Sequence, residues 1–284
     1  MKKVSIITDS TSDLSRELLE KYDITVFPLH IHLGDKEYAD GIDITAEEIY
    51  RWSEETKETP KTSALSLYDA KEYIKNALEK SEEVICFCIS QEMSSCYSVM
   101  HMAVGELEAE ERVWVIDSAN LSTGIGLQIL EAAELAEKGM RAGAIVEKMK
   151  EMQPQIRSSF VVDSLTFLHR GGRCSSVAAL MGNTLKLHPC IYVLDGKMQA
   201  GKKYRGKMDK VILNYVGDLK QELSTAKREH IFITHSSCDT DLIEVIKKEI
   251  ENLNYFHNIY VTQAGGVIAS HCGPGTLGVL YVAK

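Results

Sequence analysis

Apolar positions in this chain fall into two alternating rhythms, and their order sets the expected architecture. Lys3 to Thr8 and Val84 to Ile89 are short apolar runs bounded by polar residues, the pattern of strands buried on both faces. Each leads through a polar turn into a helical pattern. Thr8-Asp-Ser-Thr-Ser-Asp13 precedes a helix to about Tyr22, and Ser90-Gln-Glu-Met-Ser-Ser95 precedes one resuming near Ser94. Ile24 to Leu33 is extended with a break at Pro28, and Gly34-Asp35 turns it into Lys36–Ala39 as a hairpin. A helix from about Thr45 carries Glu48 as its capping-box partner, and another spans roughly Ser66 to Lys80. Val113 to Asp117 is a strand, a long helix stops near Lys138 at Gly139, and Ala144 to Met152 is the last helix before Pro154. Strand and helix in alternation predict a parallel sheet.

Beyond Pro154 the pattern changes. Phe160 to Ser164 reads as a strand, Leu165 to Leu168 as a short helical piece, and His169-Arg-Gly-Gly-Arg173 as a tight turn bearing two guanidinium groups. Leu185 to Leu194 and Met198 to Gly201 flank Asp195-Gly196, the clearest hairpin signal in the chain. A helix from about Lys207 to Thr225, a strand at Ile231–His235, a helix at Asp241–Asn252 and a strand at Ile259–Gln263 follow. A glycine-rich segment then holds a short helix ending at His271, and a last strand runs to Val282. The expectation is two α/β domains, an N-terminal parallel-sheet domain over residues 1–157 and a C-terminal mixed-sheet domain over 158–284.

Composition narrows the class. With 44% apolar and 26% charged residues the chain reads as globular, and no apolar run is long enough to span a bilayer. The basic, apolar start is cut by Thr8 and Asp9 before it could form a signal peptide, so a cytoplasmic location without stable membrane insertion is expected. Seven cysteines, an odd number with several inside apolar strands, point to reduced thiols rather than a disulfide framework. Cys86 and Cys88 share a strand face, as do His30 and His32, but neither pair has an evident further ligand, so no metal is expected. A net charge of −9 argues against nucleic-acid binding. One local exception is Gly201-Lys-Lys-Tyr-Arg-Gly-Lys-Met-Asp-Lys210, with five positive charges in ten residues, which suits either an anionic partner or a solvated loop.

Candidate chemistry gathers at helix entrances. Ser94 and Ser95 follow the strand ending at Ile89, and Thr62 and Ser63 stand just ahead of the next helix upstream. In a doubly wound sheet such loops converge at the carboxyl edge, where a small anion can be held. Plain helix capping explains the same hydroxyls. His271, beside Gly273-Pro274-Gly275, can orient a hydroxyl or bond a carboxylate. Ser94 with His271 would make a lipid or ester hydrolase, but the glycines of a nucleophile elbow are missing around Ser94. No phosphate-binding glycine loop, kinase signature or metal triplet appears. The pattern favours binding over catalysis, with no cofactor.

Taken together, Asp9-Ser-Thr-Ser-Asp-Leu14, Pro28-Leu29, Thr62-Ser63, Ile89-Ser90 with Ser94 and Tyr97, Phe167-Leu-His-Arg-Gly-Gly-Arg173, Asp195-Gly196 and His271-Cys-Gly-Pro-Gly275 resemble the DegV family along essentially the whole chain. The resemblance implies two α/β domains with a long-chain fatty acid in a buried tunnel, its carboxylate near the interdomain cleft. It further implies that Thr62 and Ser94 hydrogen-bond the carboxylate and that His271 supports that network; Ser63 and Ser95, beside them at the same turns, are counted with the same carboxylate site. A separate ATP-dependent fatty acid kinase subunit would phosphorylate the bound acid, with Arg205 at the position associated with kinase contact. Ser94-Ser-Cys-Tyr97 stands where the family commonly has Ser-Gly-Thr-Tyr, and Thr62-Ser-Ala-Leu-Ser66 where it has Thr-Ser-Gln-Pro-Ser; both key hydroxyls survive.

Overall fold

The computed structural model describes residues 2–178 and 187–284. Its first half is a parallel sheet of β1 (Lys2–Asp9), β2 (Thr25–Phe27), β6 (Ser81–Cys88) and β7 (Val113–Asp117), in the order β2-β1-β6-β7. A small antiparallel sheet, β4-β3-β5, is inserted between them, formed by β3 (His30–Leu33), β4 (Lys36–Ala39) and β5 (Lys61–Ser63). The helices of this half are α1 (Arg16–Tyr22), α2 (Ala46–Thr56), α3 (Leu67–Lys80), α4 (Cys96–Glu106), α5 (Thr123–Glu137) and α6 (Ala142–Met152). The second half holds β8 (Ile156–Val161), α7 (Thr166–Gly171), α8 (Ser175–Ala178), β9 (Leu187–Leu194), β10 (Lys197–Arg205), α9 (Met208–Leu223) and β11 (His230–Ser236). It closes with α10 (Thr240–Glu251), β12 (Asn258–Gln263), α11 (Gly266–Cys272) and β13 (Thr276–Val282). Its mixed sheet runs β10-β9-β8-β13-β11-β12, with β11 and β12 parallel and the other pairs antiparallel. The parallel and mixed sheets expected from the patterning are both present.

Several local expectations shift. Thr62 and Ser63 do not stand at a helix entrance: they lie on β5, paired with Ile31 and His30 of β3. Cross-strand pairing overrides the polar, patternless local sequence, and Ser66 caps α3 through the Asp69 amide. The strand expected at 160–164 starts earlier, at Ile156, because pairing with β13 fixes its register. His169 and Arg170 belong to α7, which Gly172 ends in the left-handed conformation at φ +70°. Residues 185 and 186 of the expected strand before Asp195 lie outside the described residues. The Thr45–Glu48 capping box forms as read.

Two features place the crevice. Strand order reverses between β1 and β6, the topological switch point where such sheets bind ligands. There Asp9, fully buried at the end of β1, accepts the Thr11 amide and, at 2.6 Å, the Ile89 amide, tying the two turns together. The Asp195-Gly196 turn, with both φ positive as a two-residue hairpin requires, is docked over this edge by a 2.8 Å bond from Ser90 Oγ to the Gly196 carbonyl. Behind the crevice, α5 is buried on nearly every face because it packs against strands of both large sheets.

Candidate functional site

A cavity of about 230 Å³ opens at the switch point, bordered by Thr62, Ser94, Arg173, His271 and the apolar side chains of Met93, Met198 and their neighbours. Thr62 Oγ1 lies 2.8 Å from His271 Nε2. Ser94 Oγ accepts the Cys96 amide at 3.2 Å, so this hydroxyl caps α4 while its own proton stays free to donate. Ser95 is the formal N-cap but makes no side-chain cap bond, and it sits exposed at the rim. Ser63 also borders the cavity, although its hydroxyl is 2.9 Å from His32 Nε2. The five residues expected at one site therefore do line one cavity. No hydrogen bond joins Ser94 to His271 among the described residues, and the imidazole is committed to Thr62 instead.

Electrostatics assign the direction of the Thr62–His271 bond. Burial, then the positive charge of Arg173, pushes His271 down to about 4, so the ring is neutral at physiological pH. Its Nδ1 is buried without a hydrogen-bond partner among the described residues. A buried orphan donor is costlier than an orphan acceptor lone pair, which favours the tautomer with the proton on Nε2. His271 then donates to Thr62 Oγ1, and the Thr62 hydroxyl is left to donate into the cavity. Gly171 makes this packing possible: a Cβ there would approach Nδ1 to 2.3 Å.

The helix bearing His271 is held from a distance. The Gly265 amide donates to Asp13 Oδ1 at 2.8 Å and the Gly266 amide to Asp40 Oδ1 at 2.7 Å. Asp40 also accepts Ser10 Oγ at 2.7 Å, and Asp13 accepts Ser122 Oγ. Burial raises Asp40, and it pushes Asp13 up to about 8, offset in part by those bonds. Carboxyls from the turn after β1 and from the end of the β3–β4 hairpin thus anchor the start of α11. The sequence shows Thr8–Asp13 only as a polar turn ahead of a helix and does not announce this clamp, which joins Asp13 and Asp40 to Gly265 and Gly266. Arg173 was likewise read only as part of a turn. Its Nη1 donates to the Gly171 carbonyl at 2.7 Å, which leaves the guanidinium on the cavity wall.

A family profile described as "Uncharacterised protein, DegV family" matches residues 3–284. The chain is 35% identical over 286 residues to a DegV domain-containing protein of Clostridium perfringens, covering all of both chains. The chain belongs to the DegV family. Among solved structures it is similar to a DegV protein of Thermus thermophilus described as binding fatty acid, with 28% identity, TM-score 0.90, and 99% and 100% of the two chains covered. A protein of Eubacterium ventriosum described as binding stearic acid matches at 27% identity and TM-score 0.83, with 100% and 99% covered.

Arg205 of this DegV chain lies elsewhere, on β10, in an open groove of about 890 Å³ with Lys202, Lys203, Tyr204 and Leu213. Among the described residues, Asp9, Cys88 and Cys96 form a compact, fully buried donor group, with Cys86 Sγ 3.9 Å from Cys88 Sγ. Burial raises the thiols and the Asp9 oxygens already accept hydrogen bonds, so the group packs as core. No helix of the described residues is long and apolar enough to cross a membrane.

Proposed function

We propose that this chain binds a long-chain fatty acid at the switch-point cavity and presents its carboxylate to an ATP-dependent kinase subunit, which converts it to an acyl-phosphate. The chain itself would carry no catalytic step. The supporting observation is the Thr62–His271 pair on the cavity wall, a hydroxyl 2.8 Å from an imidazole that burial keeps neutral. Thr62 and Ser94 donate to the carboxylate, the exposed Ser63 and Ser95 border it, and Arg173 balances its charge. Relatives described as fatty acid-binding proteins support the same ligand class. The head group would sit between an N-terminal domain, residues 1–157, and a C-terminal domain, residues 158–284. Arg205 and its neighbouring lysines would meet the kinase.

Energetics divide the labour. Each buried methylene contributes about 0.8 kcal/mol, so the tail supplies most of the affinity. A hydroxyl bonded to the carboxylate adds about 1.5–3 kcal/mol and fixes its position. The cavity volume of about 230 Å³ suits the carboxyl end and the first part of a chain. The rest requires apolar side chains of the lining to give way, and Met93 and Met198 are the unbranched, adaptable ones among them. The test is mass spectrometry of an organic extract of the denatured protein, paired with thermal melts in added fatty acids. A near-stoichiometric long-chain acid is expected; an empty extract with no rise in Tm sinks the ligand assignment. Kinase, ATP and hydroxylamine should then trap the acyl-phosphate as a hydroxamate. A serine hydrolase using Ser94 and His271 would instead label Ser94 with a covalent serine probe.

A further inference from the structure

The small sheet β4-β3-β5 has two faces. Ile31 and Thr62, a cross-strand pair, turn toward the core and the cavity. His30, His32, Glu37 and Ser63 share the outer face, where His32 pairs with Glu37 and His30 with Ser63. Each oxygen of the Glu37 carboxylate faces one imidazole: Oε1 is 3.2 Å from His30 Nδ1 and Oε2 is 3.6 Å from His32 Nδ1. We propose that His30, His32 and Glu37 form a site for a divalent cation of the zinc class on this outer face.

The donor set decides the ion. Two imidazole nitrogens and one carboxylate suit zinc and its first-row neighbours rather than calcium or magnesium, which prefer oxygen. Spacing at i and i+2 on a strand puts both rings over the same side of the sheet. With metal–ligand bonds of about 2.0–2.1 Å, neighbouring donors in a tetrahedral site stand about 3.3 Å apart; each imidazole here meets a different oxygen of Glu37, so the rings and the carboxylate must turn before the three donors converge on one ion. The side chains are 21%, 32% and 57% exposed for His30, His32 and Glu37, so an ion can enter from solvent and the rings can rotate to converge on it. An outer shell is already in place: Ser63 Oγ, 2.9 Å from His32 Nε2, accepts that N–H once Nδ1 binds the ion. Lys61, opposite His32 on β5, is a cation on the same face, and it is exposed enough to turn into water. The ion would pin the β3–β4 hairpin to β5, the strand that carries Thr62.

Titrating the chelator-stripped full chain with Zn²⁺ by calorimetry, and with Co²⁺ by absorption spectroscopy, tests the site. One equivalent of each ion is expected, with no thiolate-to-cobalt charge-transfer band and a rise in Tm on adding Zn²⁺. His32→Ala and Glu37→Gln, whose metal-free Tm should match the parent protein because the residues face outward, should each weaken binding at least 10-fold and abolish the Tm rise. Absence of saturable binding, unchanged affinity in both variants, or a thiolate band placing the ion on the cysteines would each overturn the proposal.

Discussion

The switch-point cavity and the groove around Arg205 are both concave, and they are built on opposite electrostatic terms. The cavity's central polar groups are tied to the scaffold: Thr62 to His271, Ser94 to the Cys96 amide, Arg173 to the Gly171 carbonyl. Its imidazole is neutral because a charge there would lose its hydration. The groove is open, and part of its charge is met locally: Lys202 Nζ lies 2.5 Å and Tyr204 OH 2.6 Å from Asp218 Oδ2. In a shielded site one hydrogen bond fixes a ligand's position, whereas exposed charges are screened and act together on encounter rates. The first design suits a small lipid with one ionised end, the second a macromolecular partner in an otherwise acidic chain.

Removing the head-group donors is the sharpest way to break this contrast. Thr62→Ala combined with Ser94→Ala should lower fatty-acid affinity on the order of 100-fold, since each lost bond involves a charged acceptor. Calorimetric titration with a long-chain acid measures it, and unchanged retention by the double variant would show that the carboxylate is held elsewhere. Gly171→Ala attacks the same pair from behind. The new methyl would collide with His271 Nδ1, displacing the ring from Thr62. Affinity should fall about 10-fold, and stability by about 1–3 kcal/mol from overpacking. A variant that melts and binds like the parent would show that the ring is free to shift.

Proton linkage sharpens the picture inside the buried region. For His271 the folded pKa is about 4 against an ordinary 6.5, so the unfolded chain takes up a proton that the native state declines. Its contribution to stability therefore falls as pH drops from about 6.5 toward 4. Asp13 runs the other way. Its carboxyl holds a proton up to about 8 while the unfolded chain releases it near 3.8, so stability falls as pH rises through that window. Asp13→Asn cannot ionise, yet it still offers an oxygen to the Gly265 amide. Urea unfolding from pH 4 to 8 should show the variant gaining on the parent by up to about 1.4 kcal/mol per pH unit. Parallel curves would mean that Asp13 is ionised in the native protein.

What the sequence disclosed follows from the range of the interactions. The Thr45–Glu48 capping box, the Asp195-Gly196 turn and the strand–helix alternation depend on residues a few positions apart, and they formed where read. Thr62, Ser94 and His271 could be nominated because each sits beside a chain punctuation mark. The Asp13–Gly265 bond spans 252 positions and the Asp40–Gly266 bond 226, so no local pattern announces them. Lys61-Thr-Ser63 is a strand only because β3 lies beside it, which is why its hydroxyls were placed at a helix start. Glu37 escaped notice for a related reason, since it meets His30 and His32 only once the hairpin closes.

The smallest expected effect lies in the groove. Arg205→Ala removes one exposed charge among several, so lipid retention and Tm should be unchanged. Exposed charges act mainly on encounter, and the loss should appear as a several-fold slower association with the proposed kinase subunit at low salt, with little change in the dissociation rate. Raising the ionic strength should shrink the difference between variant and parent, because the Debye length falls from about 30 Å at 0.01 M to about 8 Å at 0.15 M. Stopped-flow association at several salt concentrations reads both quantities. If Arg205→Ala instead emptied the cavity of lipid, the two regions would be coupled through β10, whose Met198 lines the cavity while Arg205 lines the groove. Reversing the sign with Arg205→Glu distinguishes the cases, since an independent groove predicts a larger, salt-dependent loss of association and the same lipid content as the parent protein.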